Sequence, residues 1–450
     1  MSEHFWDDPV IILYLLLVIH ISDNLWAIYL LLREIHVVYK VQMVPDLIRP
    51  YLPQELFEKM RLHKLHKGWF TIVNTMVMVI IMGVLELYFG LYSWLWDVAT
   101  QCAIAQWMKH EVIVSLIFVF ILSIYFWIKS LPGAIYEKLC IPSLHNRQKS
   151  SVAAIIVKVI VDIIVGILVT TMMVVALVYL TLWLGVFTAL GLYLQSLIIT
   201  FGLMIIIPFL IDPFLGKRVT LENTNLRTEL DNLTKKVEFP THQVVIIKVH
   251  DPSIGSNAFF YGFGCLKRII IFDGLLLNRG KRDVSDLSPE EIGKGLRDEQ
   301  VVAVVCHELG HWSHGHFCKT VVTFQVYLIV MLILFTITFS HGPIYEAVGF
   351  APGVQPIIVG FFIIFGFVLT PYLTMANFVM LSLGRCYEYQ ADKFAFRLGY
   401  ARELRTALLK LYADNLVFPV TDRCYSSWHD SHPTMIDRLE RLDSLLNYGS

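Results

Sequence analysis

His307-Glu308-Leu309-Gly310-His311 is an H-E-x-x-H stretch in a helical setting, and an apolar run at 320–340 follows it closely. On a helix, positions four apart share a face, so both imidazoles point the same way. That spacing lets two neutral histidines bind one Zn²⁺ and sets Glu308 beside the metal's open position. The chemistry implied is peptide-bond hydrolysis by zinc-activated water. The apolar runs around it place this hydrolytic centre in a membrane protein.

Composition agrees with that setting. Of 450 residues, 56% are hydrophobic and only 16% charged, and the mean hydropathy is +0.62. Those values lie outside the usual range for soluble domains. A net charge of −1 gives no reason to expect nucleic acid as a partner. Seven scattered cysteines with no C-x-x-C pair argue against a disulfide framework or a cysteine zinc site. Cys306, beside His307, reads as a small packing residue. The start of the chain is acidic (Glu3, Asp7, Asp8), unlike a cleavable signal peptide. The last residues, Asn447 to Ser450, carry no C-a-a-X box, so the chain is not expected to be prenylated itself.

A bilayer span needs roughly 20 mostly apolar residues. Seven stretches qualify: about 10–32, 69–96, 111–131, 161–185, 186–211, 320–340 and 356–383. The fourth and fifth are nearly continuous and are expected to turn near Gly185. Lys and Arg crowd the 33–68 and 132–160 loops and the segment from Gly216 to Lys319, whereas 1–9 and 341–355 carry none. By the positive-inside rule the basic loops face the cytosol, and seven spans put the N-terminus in the lumen and the C-terminus in the cytosol. The chain then divides into helices one to five with their basic loops (1–212), a cytosolic metalloprotease segment (213–319), helices six and seven (320–383) and a cytosolic C-terminal segment (384–450).

Within the soluble segment, residues 243–249 and 267–273 are short β-branched runs typical of strands. Residues 256–260 read as another strand or an edge. Ser288-Pro289-Glu290-Glu291 carries a helix start, with Ser as N-cap and Glu three residues on. From there a helix, breakable at Gly293 and Gly295, is expected to run into the histidines.

Catalytic zinc keeps three protein ligands. Glu388, just after the last span, is well placed as the third. Asp392 lies four residues on, on the same helical face, where it can orient a zinc-binding imidazole. Taken without the upstream motif, the two acids would be solvated charges on an amphipathic helix. Glu308 can take a proton from the attacking water and later pass it to the leaving amine. The C-terminal Trp428-His429-Asp430-Ser431-His432-Pro433-Thr434 stretch, with Arg438, offers a His and an Arg that can stabilise an oxyanion. By itself that stretch reads as a loop before a capped helix. His314 and His316, three and five residues past His311, are not both on the ligand face. His314 reads as solvent-facing or packing, and no role is assigned to His316.

Taken together, His307–His311 with Trp312, Ser256–Gly262, Glu388–Asp392, and His432-Pro433-Thr434 with Arg438 resemble the CAAX prenyl protease 1 family. Pro53–Lys59, Leu131-Pro132 and Tyr136 extend the resemblance over most of the chain. It implies a zinc-dependent prenyl-protein endopeptidase with seven transmembrane helices enclosing a large chamber. A cytosolic zinc-metalloprotease domain with a small β-sheet would complete it. It further implies one Zn²⁺ per chain on His307, His311 and Glu388, with Glu308 as base. Asp392 would stand behind the ligands, and His432 and Arg438 would support the transition state. Asn257, with Ala258 and Phe259, matches the edge strand that pairs with the substrate backbone. The implied reaction removes the C-terminal tripeptide (aaX) from prenylated CaaX proteins at the endoplasmic reticulum membrane and inner nuclear membrane, from the cytosolic side. Relatives also clear stalled translocation substrates, which makes the translocon a further partner.

A wet chamber would explain polar residues within the spans. Asp23, Asn24, Asn74 and Glu86 would line it, or else bond between helices. The chain departs from the family pattern at residues 140–147, at 251–255 and at Gly384, where the family has Ser. These changes spare the ligands and fit a divergent paralogue. They keep two other readings open: a membrane quality-control protease without prenyl dependence, and a non-catalytic scaffold or chaperone.

Overall fold

The apolar stretches form long helices, which close their backbone hydrogen bonds internally as hydrocarbon requires. The computed structural model describes residues 5–141, 152–219, 224–249, 257–281, 284–285, 287–288, 291–415 and 418–448. Most of the diverged 140–147 loop, all of 251–255, and Ser256, Pro289 and Glu290 lie outside the described residues. Among the described residues, five helices are long and apolar enough to cross a membrane: Pro9–Lys40, Gln54–Tyr88, Glu111–Ile135, Val165–Ile206 and His316–Phe339. A sixth is the bent pair Ile357–Val368 and Thr370–Arg397, at 61° to each other. The bend falls at Leu369, two residues before Pro371, which cannot donate a backbone hydrogen bond and clashes with the preceding turn.

By length alone the 42-residue run Val165–Ile206 is one helix, whereas the sequence divides it at Gly185. A Cβ on Gly191 would sit 3.6 Å from the end of Leu180, eleven positions earlier. In a straight helix those residues would lie about 16 Å apart along the axis. The chain therefore turns back, and the turn falls at Gly185, whose φ of +52° is open to glycine.

The chain falls into two units. The first holds Met1–Ile35, Leu62–Ser196 and Tyr327–Ala376. Its core is apolar and aromatic, including Leu87, Phe118, Phe335 and Tyr345, while large side chains such as Met172, Trp183 and Val186 stand exposed, as a bilayer allows. Two of the four polar residues flagged in the spans bond between helices. Buried Glu86 accepts from Tyr125 Oη at 2.8 Å and Tyr92 Oη at 3.4 Å and pairs with Lys129. Asp23 accepts from Thr374 Oγ1 at 2.8 Å. Asn24 instead bonds its own helix at the His20 carbonyl, and Asn74 packs against Gly133.

The second unit holds His36–Arg61, Leu197–Val326 and Asn377–Ser450. Part of the basic 33–68 loop thus belongs to it, with Phe57 fully buried in its core. Its four-stranded sheet has the order β1-β2-β4-β3. β2 (Val244–Val249) and β4 (Arg268–Phe272) pair in parallel and are the two expected strands. β3 (Ala258–Tyr261) pairs antiparallel with β4 and is an edge. β1 (Gly216–Val219) was not expected, because Gly-Lys-Arg-Val has no alternating apolar face.

The motif helix spans Asp298–Ser313 and begins nine residues later than the Ser288 N-cap signal implies. Ser288 N and Oγ do bond the Glu291 carboxylate, but they close only a turn. Gly293 and Gly295 then take φ of +80° and +92°, which leaves the helical region. The helix starts afresh where Arg297 N donates to Gln300 Oε1 at 3.0 Å. Val301, Ala303, Val305, Cys306 and Leu309 are buried in one core with Leu404 and Ala407 of helix Ala401–Asp414 and Leu226, Leu230 and Leu233 of helix Thr224–Lys236, and the motif helix also packs against β3. Each fully buried aliphatic side chain there contributes about 1.5–3 kcal/mol. Cys306 is fully buried, the packing residue expected, and burial pushes its thiol up to about 12. The motif helix is thereby fixed on three sides, and its histidine face is left for the site.

Candidate active site

His307 and His311 present their Nε2 atoms 3.2 Å apart. Glu388, from helix Thr370–Arg397, places Oε2 3.4 Å from His307 Nε2 and Oε1 3.3 Å from His311 Nε2. Two imidazole nitrogens facing each other repel unless a cation or a proton lies between them. A tetrahedral zinc with bonds of about 2.0–2.1 Å has ligand-to-ligand edges of roughly 3.3 Å. The two Nε2 atoms stand about one such edge apart, a different Glu388 oxygen faces each of them, and the donor set of two His and one carboxylate suits a catalytic zinc site.

Gly310 makes that approach possible. A Cβ there would lie 2.9 Å from Ala391 Cα and 3.1 Å from Phe394 Cβ. With no side chain at Gly310, the helix carrying Glu388 lies directly against the motif helix.

Behind the ligands, Asp392 Oδ1 lies 2.9 Å from His307 Nδ1. Arg438 grips Asp392 with two bonds, Nη2 to Oδ1 at 2.6 Å and Nε to Oδ2 at 3.0 Å, and turns Nη1 to Glu388 Oε2 at 3.2 Å. All of these groups are buried. Burial disfavours a charge on His307, but hydrogen bonds to Asp392 and Glu388 outweigh it and push the metal-free imidazole up to about 10. Behind His311 stands His316, with Nδ1 2.9 Å from His311 Nδ1 and Nε2 3.0 Å from Gln390 Oε1.

Glu308 turns toward the sheet. Its Oε2 accepts from the Phe260 backbone amide of edge strand β3 at 2.9 Å. Burial raises its carboxyl above the ordinary range, the direction that suits a base which must also return a proton. Asn257, just before β3, accepts the Ala258 amide on Oδ1 at 2.9 Å. The Phe259 ring packs on Phe272 of β4. Asn257 and Ala258 thus lie just ahead of Phe260, the edge-strand residue that Glu308 holds, while Phe259 meets Phe272 edge-on.

His432 is exposed and brings Nδ1 to 3.1 Å from Glu388 Oε1, and the hydrogen bond to that carboxylate raises the imidazole's pKa. Its loop is tied down by Arg385, which donates to the carbonyls of Ser427 and Asp430 at 2.8 and 3.0 Å. A Cβ at Gly384 would come within 3.1 Å of the Ser431 carbonyl, so the departure from the family's Ser sits where this loop passes. Thr434 caps the following helix through Asp437, so the stretch is both a loop before a capped helix and part of the site.

All ten residues singled out from the sequence thus fall in one unit. His307, His311, Glu388, Asp392, His432 and Arg438 are linked by direct contacts. Glu308 bonds Phe260 of β3, the strand that holds Ala258 and Phe259 and follows Asn257. Sequence reasoning missed the His316–Gln390 pair, the Phe260 amide and Arg385. A helical wheel can only see within one helix, and His316 lies beyond the Gly315 turn (φ +64°).

Comparisons with known proteins bear on the same residues. A family model described as "CAAX prenyl protease N-terminal, five membrane helices" matches residues 34–217, and one described as "Peptidase family M48" matches residues 220–446. The human CAAX prenyl protease 1 homolog is 31% identical over 443 residues, covering 94% of this chain and 93% of its own. CAAX prenyl protease 1 of Saccharomyces cerevisiae is 34% identical over 254 residues, covering 53% of this chain and 52% of its own. The crystal structure of S. mikatae Ste24p superposes with a TM-score of 0.77 at 26% identity, covering 96% of this chain and 99% of that one.

Proposed function

This chain belongs to peptidase family M48, as a multi-pass membrane metalloendopeptidase of the CAAX prenyl protease 1 group, and from that premise we propose that it removes the aaX tripeptide from prenylated CaaX proteins. His307, His311 and Glu388 hold one zinc per chain. When bound, zinc supplies the Lewis acidity that polarises the scissile carbonyl and makes water a nucleophile near neutral pH. Glu308 takes the proton of the attacking water as its oxygen bonds the carbonyl carbon. It then delivers that proton to the amine as the C–N bond breaks. The substrate lies as an added strand along the outer edge of β3, at Asn257, Ala258 and Phe259. Glu308 is already bonded to that strand, which sets the base beside the peptide it acts on.

Asp392 orients His307 for coordination. The three guanidinium nitrogens of Arg438 face Asp392 and Glu388, and so Arg438 positions the ligands rather than touching the substrate. His432, exposed at the rim beside Glu388, is free to meet the developing oxyanion. The basic loops support a site on the cytosolic side of the membrane, and the resemblance to CAAX prenyl protease 1 implies that this membrane is the endoplasmic reticulum's.

The single observation carrying this reading is the convergence of the two imidazole Nε2 atoms and the Glu388 carboxylate, one oxygen facing each imidazole, with Glu308 on the same helix. Glu308→Gln tests it. The variant is expected to bind zinc as the wild type does and to lose about 10²–10⁴-fold in cleavage of a farnesylated CaaX peptide. Retained activity would refute the assignment of the base. A vestigial scaffold would have no need of Glu308 or of an intact donor set.

A further inference from the structure

We propose that His316 and Gln390 form a tautomer-setting relay that fixes the zinc-binding lone pair of His311. This rests on the zinc reading above and extends it to two residues beyond the ligands.

A neutral imidazole can coordinate through Nε2 only if its proton sits on Nδ1, and the partner at Nδ1 decides where the proton sits. For His307 that partner is the Asp392 carboxylate, which can only accept. His311 has no carboxylate at Nδ1. It has another imidazole, His316, 2.9 Å away. Two imidazoles can share one proton in either sense, so a third group must break the symmetry. Gln390 does so, because its carbonyl Oε1 faces His316 Nε2 at 3.0 Å. An amide oxygen can only accept, so His316 carries its proton on Nε2 and leaves Nδ1 bare. His311 must then donate from Nδ1, and its Nε2 lone pair is turned to the ligand cluster.

The geometry of the relay is held from several sides. His316 is almost fully buried. Its ring stacks on Tyr387 at 4.3 Å and 12°, with His314 on it at 5.4 Å and 19°. Gly315 takes φ +64° and turns the chain back between the motif helix and helix His316–Phe339, so that His316 reaches His311. Tyr387, Glu388, Gln390 and Asp392 lie within six consecutive residues. One helix segment therefore supplies the third ligand, the acceptor behind His307 and the end of the relay behind His311.

The test is zinc affinity, by competition with a chromophoric chelator, on the purified full-length protein in detergent. His316→Leu keeps volume but removes the acceptor, and is expected to weaken zinc binding by about 10–100-fold. His316→Asn places an amide oxygen near the position of the lost Nδ1 and is expected to recover most of that affinity. Gln390→Met removes the symmetry-breaking acceptor and is expected to weaken zinc by several-fold while leaving the ligands in place. Wild-type affinity in His316→Leu would overturn the relay. So would a loss in His316→Asn as large as in His316→Leu, since ring packing alone would then be responsible. If His316→Leu does not fold, His316→Asn and Gln390→Met still decide: wild-type affinity in Gln390→Met would overturn the relay. A wild-type protein that binds no zinc would instead refute the metal reading itself.

Discussion

Gly310→Ala is the smallest perturbation that separates fold from function in this chain. The added carbon would stand 2.9 Å from Ala391 Cα, 3.1 Å from Phe394 Cβ and 3.2 Å from Ala391 Cβ. Carbon atoms are at ease at about 3.5–4.0 Å, so the two helices must part by roughly 0.6–1 Å. The atoms met are backbone or Cβ, and no rotamer change relieves them. Such overpacking costs about 1–3 kcal/mol, while alanine returns about 1 kcal/mol of helix propensity. The net change in stability is therefore about 0–2 kcal/mol. The site suffers more. Glu388 shares a helix with Ala391, so its separations of 3.3 and 3.4 Å from the two imidazoles open by a large part of that shift. Metal sites tolerate about 0.2 Å, and a misplacement of about 1 Å can cost 10²-fold in rate. The variant should thus melt close to the wild type yet bind zinc poorly and cleave a farnesylated peptide about 10²-fold more slowly. Thermal melting in detergent, chelator competition and peptide cleavage read the three quantities. Wild-type affinity and rate in Gly310→Ala would refute the claim that close helix approach sets the ligand geometry.

Two further outcomes follow from the buried charges. Arg438→Met leaves Asp392 and Glu388 without their shared cation, so the metal-free protein should lose about 3–5 kcal/mol, with zinc restoring part of it. Equal melting of the metal-free variant and wild type would contradict this. The His307 imidazole, pushed up to about 10 without metal, holds a proton at pH 8 that zinc must displace. Zinc binding should release about one proton per site and tighten about tenfold per pH unit between neutrality and that value. Calorimetry in buffers of different ionisation heats measures the release, and none would count against it. The sign for the metal-free fold is the reverse: a raised pKa contributes stability fully below the ordinary 6.5 and loses it as pH rises toward 10.

The parts of the site that obey helical periodicity were legible in the sequence. His307 and His311 share a face, and so do Glu388 and Asp392; each pair sits within one helix. Strands β2 and β4 announced themselves by β-branched runs, whereas β1 is too short and polar to do so. The Ser288 signal failed because capping chemistry closes a turn as readily as it starts a helix. Backbone conformation at Gly293 and Gly295 then decided the outcome. His316 was left without a role for a related reason: a helical wheel assumes a continuous helix, and the chain turns at Gly315. Arg438 was recognisable as a residue of the site, but its contacts with Asp392 and Glu388 join segments far apart in the chain, which no local pattern encodes.

The central claim is tested most directly by release of the terminal tripeptide from matched farnesylated and unmodified CaaX peptides, with and without a chelator. Metal-dependent prenyl-CaaX proteolysis predicts rapid release from the farnesylated peptide, abolished by the chelator, and far slower release from its unmodified twin. Equal rates on the two peptides would contradict the CaaX assignment, and release that persists in the chelator would contradict the zinc site.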